Sequence, residues 1–501
     1  MRRALGAAIA LLALGGCATL EPFGSHLASP SPQVRECAEW YRQLDERTDA
    51  AGVRDAQDAR VAGFPYLRAN RLLAAMRADA RSERAQEALG ERMLQLDLEA
   101  RRFELRNLPP APMAEERERR GAFDPGPAFE RTISCGRLLQ QLDFAKPASR
   151  AAMLERAAVP DDYLLAERVI GLYALTRIPF ARGVRRYEAE MRDAFERPRA
   201  TPAGATLLRY APPPLGWPMT RSRAETILSV SSGNALGIPE PTEADLRDLL
   251  RAYAPSFEVE VQGDYDHFGE LRWLRGEASP SVDAAHLAVY AHPAWTRYRG
   301  KTLLQLVYTI WFPERPPASD GDLLAGKLDG FIWRVTLAPD GEPILFDSIH
   351  PCGCFHLFFP TPRARARPAP DDLQEWAFAP QALPRFAEGD RALVRIATRT
   401  HYAERVSRVR GTDSLVQYEI RPYGELRSLQ RLDGGRSSAF GPQGLVPGTE
   451  RAERWLFWPM GIRSAGAMRQ WGRHATAFVG RRHFDDADLL EKRFELELAP
   501  R

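Results

Sequence analysis

The densest cluster of reactive side chains in this chain is His350-Pro351-Cys352-Gly353-Cys354-Phe355-His356. Imidazole and thiolate are preferred ligands of zinc and copper, so one of these ions is the cofactor the residue types imply. In a straight strand all four side chains would share one face, with neighbours about 6.6 Å apart. A single ion with bonds of about 2.0–2.3 Å cannot span that spacing. Pro351 and Gly353 are the residues able to turn the chain so that three of the four donors gather, with His286, His292 or His401 completing the set. The cluster follows the strand-like run Phe346-Asp347-Ser348-Ile349, where Asp347 could orient a ligating imidazole or act as a base. A metal held there would supply an activated water for hydrolysis.

Two other chemistries compete for the same residues. Cysteines two apart can close a strained, exchange-active disulfide, which makes Cys352 and Cys354 a thiol–disulfide redox pair. The third reading is a closed structural bridge beside histidines that merely pack. Elsewhere the signals are weaker. His267 to Glu270 and His401 to Glu404 repeat a common His-x-x-Glu spacing, and Asp264-Tyr265-Asp266 lacks the rest of a calcium loop and reads as a solvated turn. Gly300-Lys301-Thr302 fails as a phosphate loop, because its first glycine position holds Trp295. No His-Glu-x-x-His or Gly-x-Ser-x-Gly occurs, so the zincin and α/β-hydrolase signatures are missing. Arg363, Arg365 and Arg367 stand in a proline-rich segment that reads as a solvated loop, and Trp455, Phe457, Trp458 and Trp471 read as core aromatics.

The elements that must position the cluster divide the chain. Val34, Cys37, Tyr41 and Leu44, and later Leu89, Met93, Leu96, Ala100 and Phe103, recur at helical spacing, which predicts an all-helical domain over residues 33–197. Prolines crowd residues 198–222, read as a linker. Residues 223–501 open with a helix capped by Thr242 and Asp245 and then shift to period two, with Phe257, Val259 and Val261 alternating with polar neighbours. Leu303 to Phe312 reads as a buried strand, and Ala338-Pro339-Asp340-Gly341 as the turn of a hairpin. The fold class expected is α+β, a helical domain followed by a β-rich or mixed one.

The amino terminus supplies an address. Met1-Arg2-Arg3, an apolar run from Ala4 to Leu14 and the small residues before Cys17 form a secretory signal over residues 1–16. Leu14-Gly15-Gly16-Cys17 resembles the lipobox of bacterial lipoproteins. The resemblance implies acylation of Cys17, and Ala18 in place of an aspartate implies sorting to the outer membrane. Residues 17–32, rich in proline and serine, then read as a tether. The envelope permits disulfides, and Cys37 and Cys135 both fall on inward helix faces, so they are expected to pair.

With 44% hydrophobic and 27% charged residues the chain has the make-up of an ordinary globular protein, and a net charge of +3 offers no case for nucleic acid. The sequence leaves three functions in view: a lipid-anchored envelope protein binding a metal at His350–His356, a non-catalytic scaffold or assembly factor that docks an envelope partner through its helical domain, and a redox pair. No enzyme family is recognised in the mature chain.

Overall fold

Apolar residues three and four apart build the helices of the first part. The computed structural model describes residues 22–109, 125–197, 200–214, 216, 218–370, 373–411, 416–432 and 434–499. Cys17 and the signal segment lie outside them. Helices α1 (Pro22–Leu27) and α2 (Pro32–Ala50) precede a hairpin of β1 (Ala59–Val61) and β2 (Phe64–Ala69). Then come α3 (Arg71–Met76), α4 (Glu83–Asn107), α5 (Pro125–Phe144), α6 (Pro147–Arg156), α7 (Leu165–Ile170) and α8 (Tyr173–Glu196). Asn70 and Ser82 cap α3 and α4 by accepting the backbone N–H groups of Leu73 and Ala85.

Three expectations need correction here. The stretch read as all-helical contains the β1–β2 hairpin, whose Phe64, Tyr66 and Leu67 are fully buried among the helices. The stretch read as a tether includes α1, because the His26 imidazole lies 2.9 Å from the buried Asp143 carboxylate and Phe23 packs on the helical core. The proline-rich 198–222 stretch contributes a paired strand, β3 (Thr206–Ala211). The expected cysteine pair is present: Cys37 and Cys135 are disulfide-bonded, joining α2 to α5 across 98 residues.

Helices α9 (Arg221–Ser231) and α10 (Glu243–Ala252) follow, the latter capped by Thr242. Strands β4 (Ser256–Val261), β5 (Glu270–Arg272) and β6 (Ser281–Asp283) lead into a long meander. Its members are β7 (Ala288–Tyr298), β8 (Lys301–Arg315), β9 (Gly326–Leu337) and β10 (Pro343–Ile349), continued by β11 (Leu357–Pro360) and β12 (Ala364–Ala366). Strands β13 (Asp390–Ile396), β14 (Ala403–Arg410), β15 (Val416–Gln417) and β16 (Glu419–Pro422) complete two sheets. One runs β11-β10-β9-β8-β7-β16 and the other β14-β13-β4-β3-β15. The fold is α+β.

The larger sheet is buried on both faces. Along β8 the even-numbered Leu304, Leu306, Tyr308, Ile310 and Phe312 enter the main core, which they share with Phe257 and Val259 of β4 and Val394 and Ile396 of β13. The odd-numbered Leu303, Val307 and Trp311 face smaller clusters on the other side. This explains why β8 reads as a continuous apolar run rather than an alternating one. The helical and β portions are knitted together by charge. Arg427 grips both Asp55 carboxylate oxygens at 2.8 and 3.1 Å, while its carbonyl accepts Asn107 Nδ2 at 2.8 Å. Removing Arg427 would strand the Asp55 charge in the interior.

Candidate functional site

The turn between β10 and β11 carries the His/Cys cluster, and glycine makes the turn. His350 N–H donates to the Cys354 carbonyl at 3.0 Å and Gly353 N–H to the His350 carbonyl at 2.7 Å. Gly353 has φ +89°, and a Cβ there would sit 2.4 Å from the Ala475 carbonyl oxygen. Only glycine fits both demands. The carboxy-terminal segment clamps the turn from outside: Arg469 donates from its backbone to the Pro351 carbonyl at 2.9 Å and from Nε to the Cys352 carbonyl at 3.1 Å.

The turn sends its two imidazoles to opposite faces of the sheet. His350 follows Ile349, which faces away from the main core, and so lands on the main-core side against Phe331, Phe355 and Tyr402. His356 precedes the core residue Leu357 and lands on the other side, against Phe358 and Phe484. The four donors therefore do not converge. Among the described residues no group of three or more His, Cys, Asp or Glu side chains is placed to hold a metal. The residues do not fit the zinc or copper site expected at His350, Cys352, Cys354 and His356, because the β10–β11 register, which sets Asp347 opposite Phe358, puts the two imidazoles on opposite faces.

Each imidazole is held by a carboxylate instead. His350 Nδ1 lies 3.3 Å from Asp329, whose other oxygen is 2.9 Å from His401 Nδ1, and His401 Nε2 lies 3.4 Å from Asp266. Burial opposes ionisation of Asp329, yet His350, His401 and Arg451 hold its carboxyl well below the usual range. Burial likewise works against a charged His401, but its hydrogen bonds to Asp266 and Asp329 raise it above an ordinary histidine. For His350 burial outweighs Asp329, and its titration is lowered. The result is a buried chain of alternating acids and imidazoles. Asp266 is thus no solvated turn residue: it accepts from Gln262 N, Arg399 N and Thr398 Oγ1.

On the other face His356 Nε2 lies 2.8 Å from Asp347 Oδ2. Asp347 is completely buried and gripped by Arg334 at 2.9 and 2.5 Å. Burial drives the His356 titration down to about 3 despite that carboxylate, so the ring is neutral. A neutral ring donating from Nε2 leaves Nδ1 as a bare acceptor, and this atom has no hydrogen-bond partner among the described residues. Asp347 thus orients an imidazole that holds no ion.

The thiols are unbonded to each other, Cys352 buried and Cys354 half-buried. Cys354 N–H points at Cys352 Sγ, 3.4 Å away. The hydrogen bond with Cys352, and then burial, push the Cys354 thiol well above its ordinary value. A thiol held protonated is a poor nucleophile, so the arrangement is not the exposed, exchange-active disulfide of the redox reading.

What the turn does form is a wall. A cavity of about 410 Å³ runs past Cys352, Gly353, Cys354, Phe355 and His356. It is also lined by α8, through Pro179, Phe180, Gly183, Val184 and Tyr187, and by Phe457, Ile462 and the Ala475–Phe478 segment. Phe180, Phe457 and Phe478 meet edge-on or tilted, with centroids 4.6–6.4 Å apart. The size is that of a small-molecule site, and the lining is mostly apolar. Burial pushes its Glu453 carboxyl up to about 7 and also raises Glu375 and Glu188. Arg482 is already engaged, donating to Thr476 Oγ1 and to the carbonyls of Thr476 and Trp376, with Glu375 3.7 Å away.

The remaining candidates are scattered. His286 is exposed beside Asp283 at 2.9 Å, and His292 is half-buried, its ring packed between Tyr423 and Trp471. Arg363 is buried against Asp340 and Glu342, which removes it from any solvated loop. Trp455 is 72% exposed instead of packing in a core. Sequence reading missed α8 and Glu453 as cavity walls; the glycine at 183 inside an otherwise helical pattern was the one available hint. No family model matches the chain, and no curated protein or solved structure matches it either.

Proposed function

We propose that this chain is a lipid-anchored envelope protein that binds an apolar ligand in the cavity walled by Cys352–His356. The observation that carries the reading is the cavity itself, apolar along its length and lined by the turn that orients His356. Burial of apolar surface supplies the affinity, at ~0.8 kcal/mol per methylene. Arg482, the buried cation of the lining, is already engaged by Thr476 and Trp376.

The envelope address rests on Leu14-Gly15-Gly16-Cys17 and is separable from the cavity. Mass spectrometry of the mature amino terminus should find an acylated Cys17, and Cys17→Ser should abolish it; an unmodified terminus beyond Cys17 would remove the anchor. The cavity reading is tested on the chain from Ala18 with a fluorescent fatty-alcohol analogue. Saturable binding at one site per chain, displaced by the unlabelled alcohol, is expected. Fluorescence that never saturates would sink it.

A further inference from the structure

One face of the molecule leaves large apolar side chains uncovered beside the cavity. On α7, at the corner and on the first turns of α8, Leu165, Val169, Ile170, Leu172 and Leu175 are each more than 60% exposed, and Trp455 joins them from the neighbouring turn. These pieces form one ledge. Leu164 N–H donates to the Gly461 carbonyl at 2.7 Å, Arg168 Nε to the Met460 carbonyl at 2.8 Å, and a Cβ on Gly171 would meet Pro459 at 2.6 Å. The ledge is also the rim of the cavity: Leu456 is 54% exposed and lines it, as do Pro179 and Gly183, both exposed. Solvent-facing apolar side chains this densely grouped mark a surface that meets something.

The charge around the ledge says what. From Leu165 to Tyr187 the chain carries five arginines and a single acid, Glu167; from Arg454 to Arg463 it carries two arginines and no acid. Arg168 is buried, stacked on Tyr163 and Tyr173, and Arg186 pairs with Glu190 at 2.9 Å, so Arg177, Arg182, Arg454 and Arg463 are the arginines around the apolar strip, with Glu188 and Glu453 at its edges. Tryptophan and leucine flanked by arginine is the pattern of a surface that sinks into the head-group boundary of an anionic bilayer. The leash agrees. From Cys17 to Pro22, where the folded body begins, five residues reach at most about 18 Å. An acylated Cys17 would therefore keep Pro22 within that reach of the bilayer.

We infer that the α7–α8 corner and the Arg454–Met460 turn form a seat for an anionic lipid surface, so that the cavity mouth opens towards the acyl chains. The inference rests on the cavity reading only for what the bilayer delivers; the seating itself is read without any cavity probe. A second copy of the chain is the competing occupant, and a repeated arginine-rich face meeting itself would carry like charge against like.

The experiment uses the chain from Ala18, which keeps every described residue and lacks the acylated cysteine, with vesicles of phosphatidylglycerol and phosphatidylethanolamine. Co-sedimentation is expected, weakened by salt and lost on pure phosphatidylcholine. The triple variant Ile170→Gln, Leu175→Gln, Trp455→Gln should lower the vesicle partition at least tenfold while binding the fatty-alcohol probe as before. Arg182→Glu, at an exposed position, should lower it without touching the apolar strip. Parent protein that stays in the supernatant, or variants that sediment as the parent does, would overturn the seat. A concentration-dependent dimer that the triple variant abolishes, with no vesicle binding, would overturn it in favour of the second copy. Loss of probe binding with vesicle binding intact would count against the cavity and leave the seat standing.

Discussion

Gly183 offers the cleanest way to close the cavity without disturbing its walls. It sits inside α8, lines the cavity, and a Cβ built on it meets nothing within 4 Å. A helical side chain leans towards the preceding turn, which here is Pro179 and Phe180 at the cavity rim. Gly183→Ala should therefore leave ligand binding unchanged and raise stability by roughly 1 kcal/mol, the helix-propensity difference between the two residues. Gly183→Trp should place an indole in the mouth. If it displaces roughly four methylenes of bound ligand at ~0.8 kcal/mol each, binding falls by about 3 kcal/mol, or roughly a hundredfold. Probe titration reads the affinity, and thermal unfolding checks that both variants are folded. A folded Gly183→Trp protein that binds the probe like the parent would refute the placement of the ligand.

Other consequences follow from burial, turn geometry and the cross-link. The rings of His292, His356 and His474 are buried neutral with titrations near 3, so below the ordinary value of 6.5 the unfolded chain binds protons that the folded one does not. Stability should fall as pH drops from about 6.5 towards 3, by up to ~4 kcal/mol per pH unit from the three together, whereas His483, raised to about 9, adds its stability between pH 9 and 6.5 and nothing to the slope below; denaturant titrations at stepped pH would show it. Glu453 runs the opposite way: its carboxyl titrates at about 7 against an ordinary 4.5, so its burial cost is absent below pH 4.5 and full above 7. Glu453→Gln should thus stabilise the protein at pH 8 by on the order of 3 kcal/mol and change little at pH 4. Gly353→Ala should cost more than about 2 kcal/mol and lower the midpoint of thermal unfolding, because its Cβ has no room beside Ala475 and its φ is left-handed. Reducing the Cys37–Cys135 bridge, or replacing both residues by serine, should cost up to ~4–5 kcal/mol for a loop of 98 residues, read by unfolding with and without reductant.

Much of the framework was legible in local pattern. The Thr242 cap, the hairpin around Ala338–Gly341 and the pairing of Cys37 with Cys135 all depend on residues whose preferences act within a turn or along one helix face. The β1–β2 hairpin was not legible, because Phe64, Tyr66 and Leu67 are all buried and lose the alternation that marks a half-exposed strand. The break between α7 and α8 has a reason no window of sequence contains. Leu172 turns left-handed so that α7 can lie on the Trp458–Gly461 turn, almost three hundred residues later.

The His/Cys cluster divides the two kinds of knowledge most clearly. Residue order alone determined that His350, Cys352, Cys354 and His356 would be close along the chain and that Pro351 and Gly353 would bend it. Closeness in sequence does not decide direction. That was decided by the register of β10 against β9 and β11, which commits His350 to one face and His356 to the other, and by Asp329 and Asp347, which wait there as buried acceptors. The cavity belongs wholly to tertiary structure: its walls come from α8, from the 350–356 turn and from residues beyond 450, and only packing brings those three together. Burial then sets the chemistry, because removing water leaves the imidazoles neutral, the Cys354 thiol protonated and Glu453 half-charged at neutral pH, none of which residue type predicts.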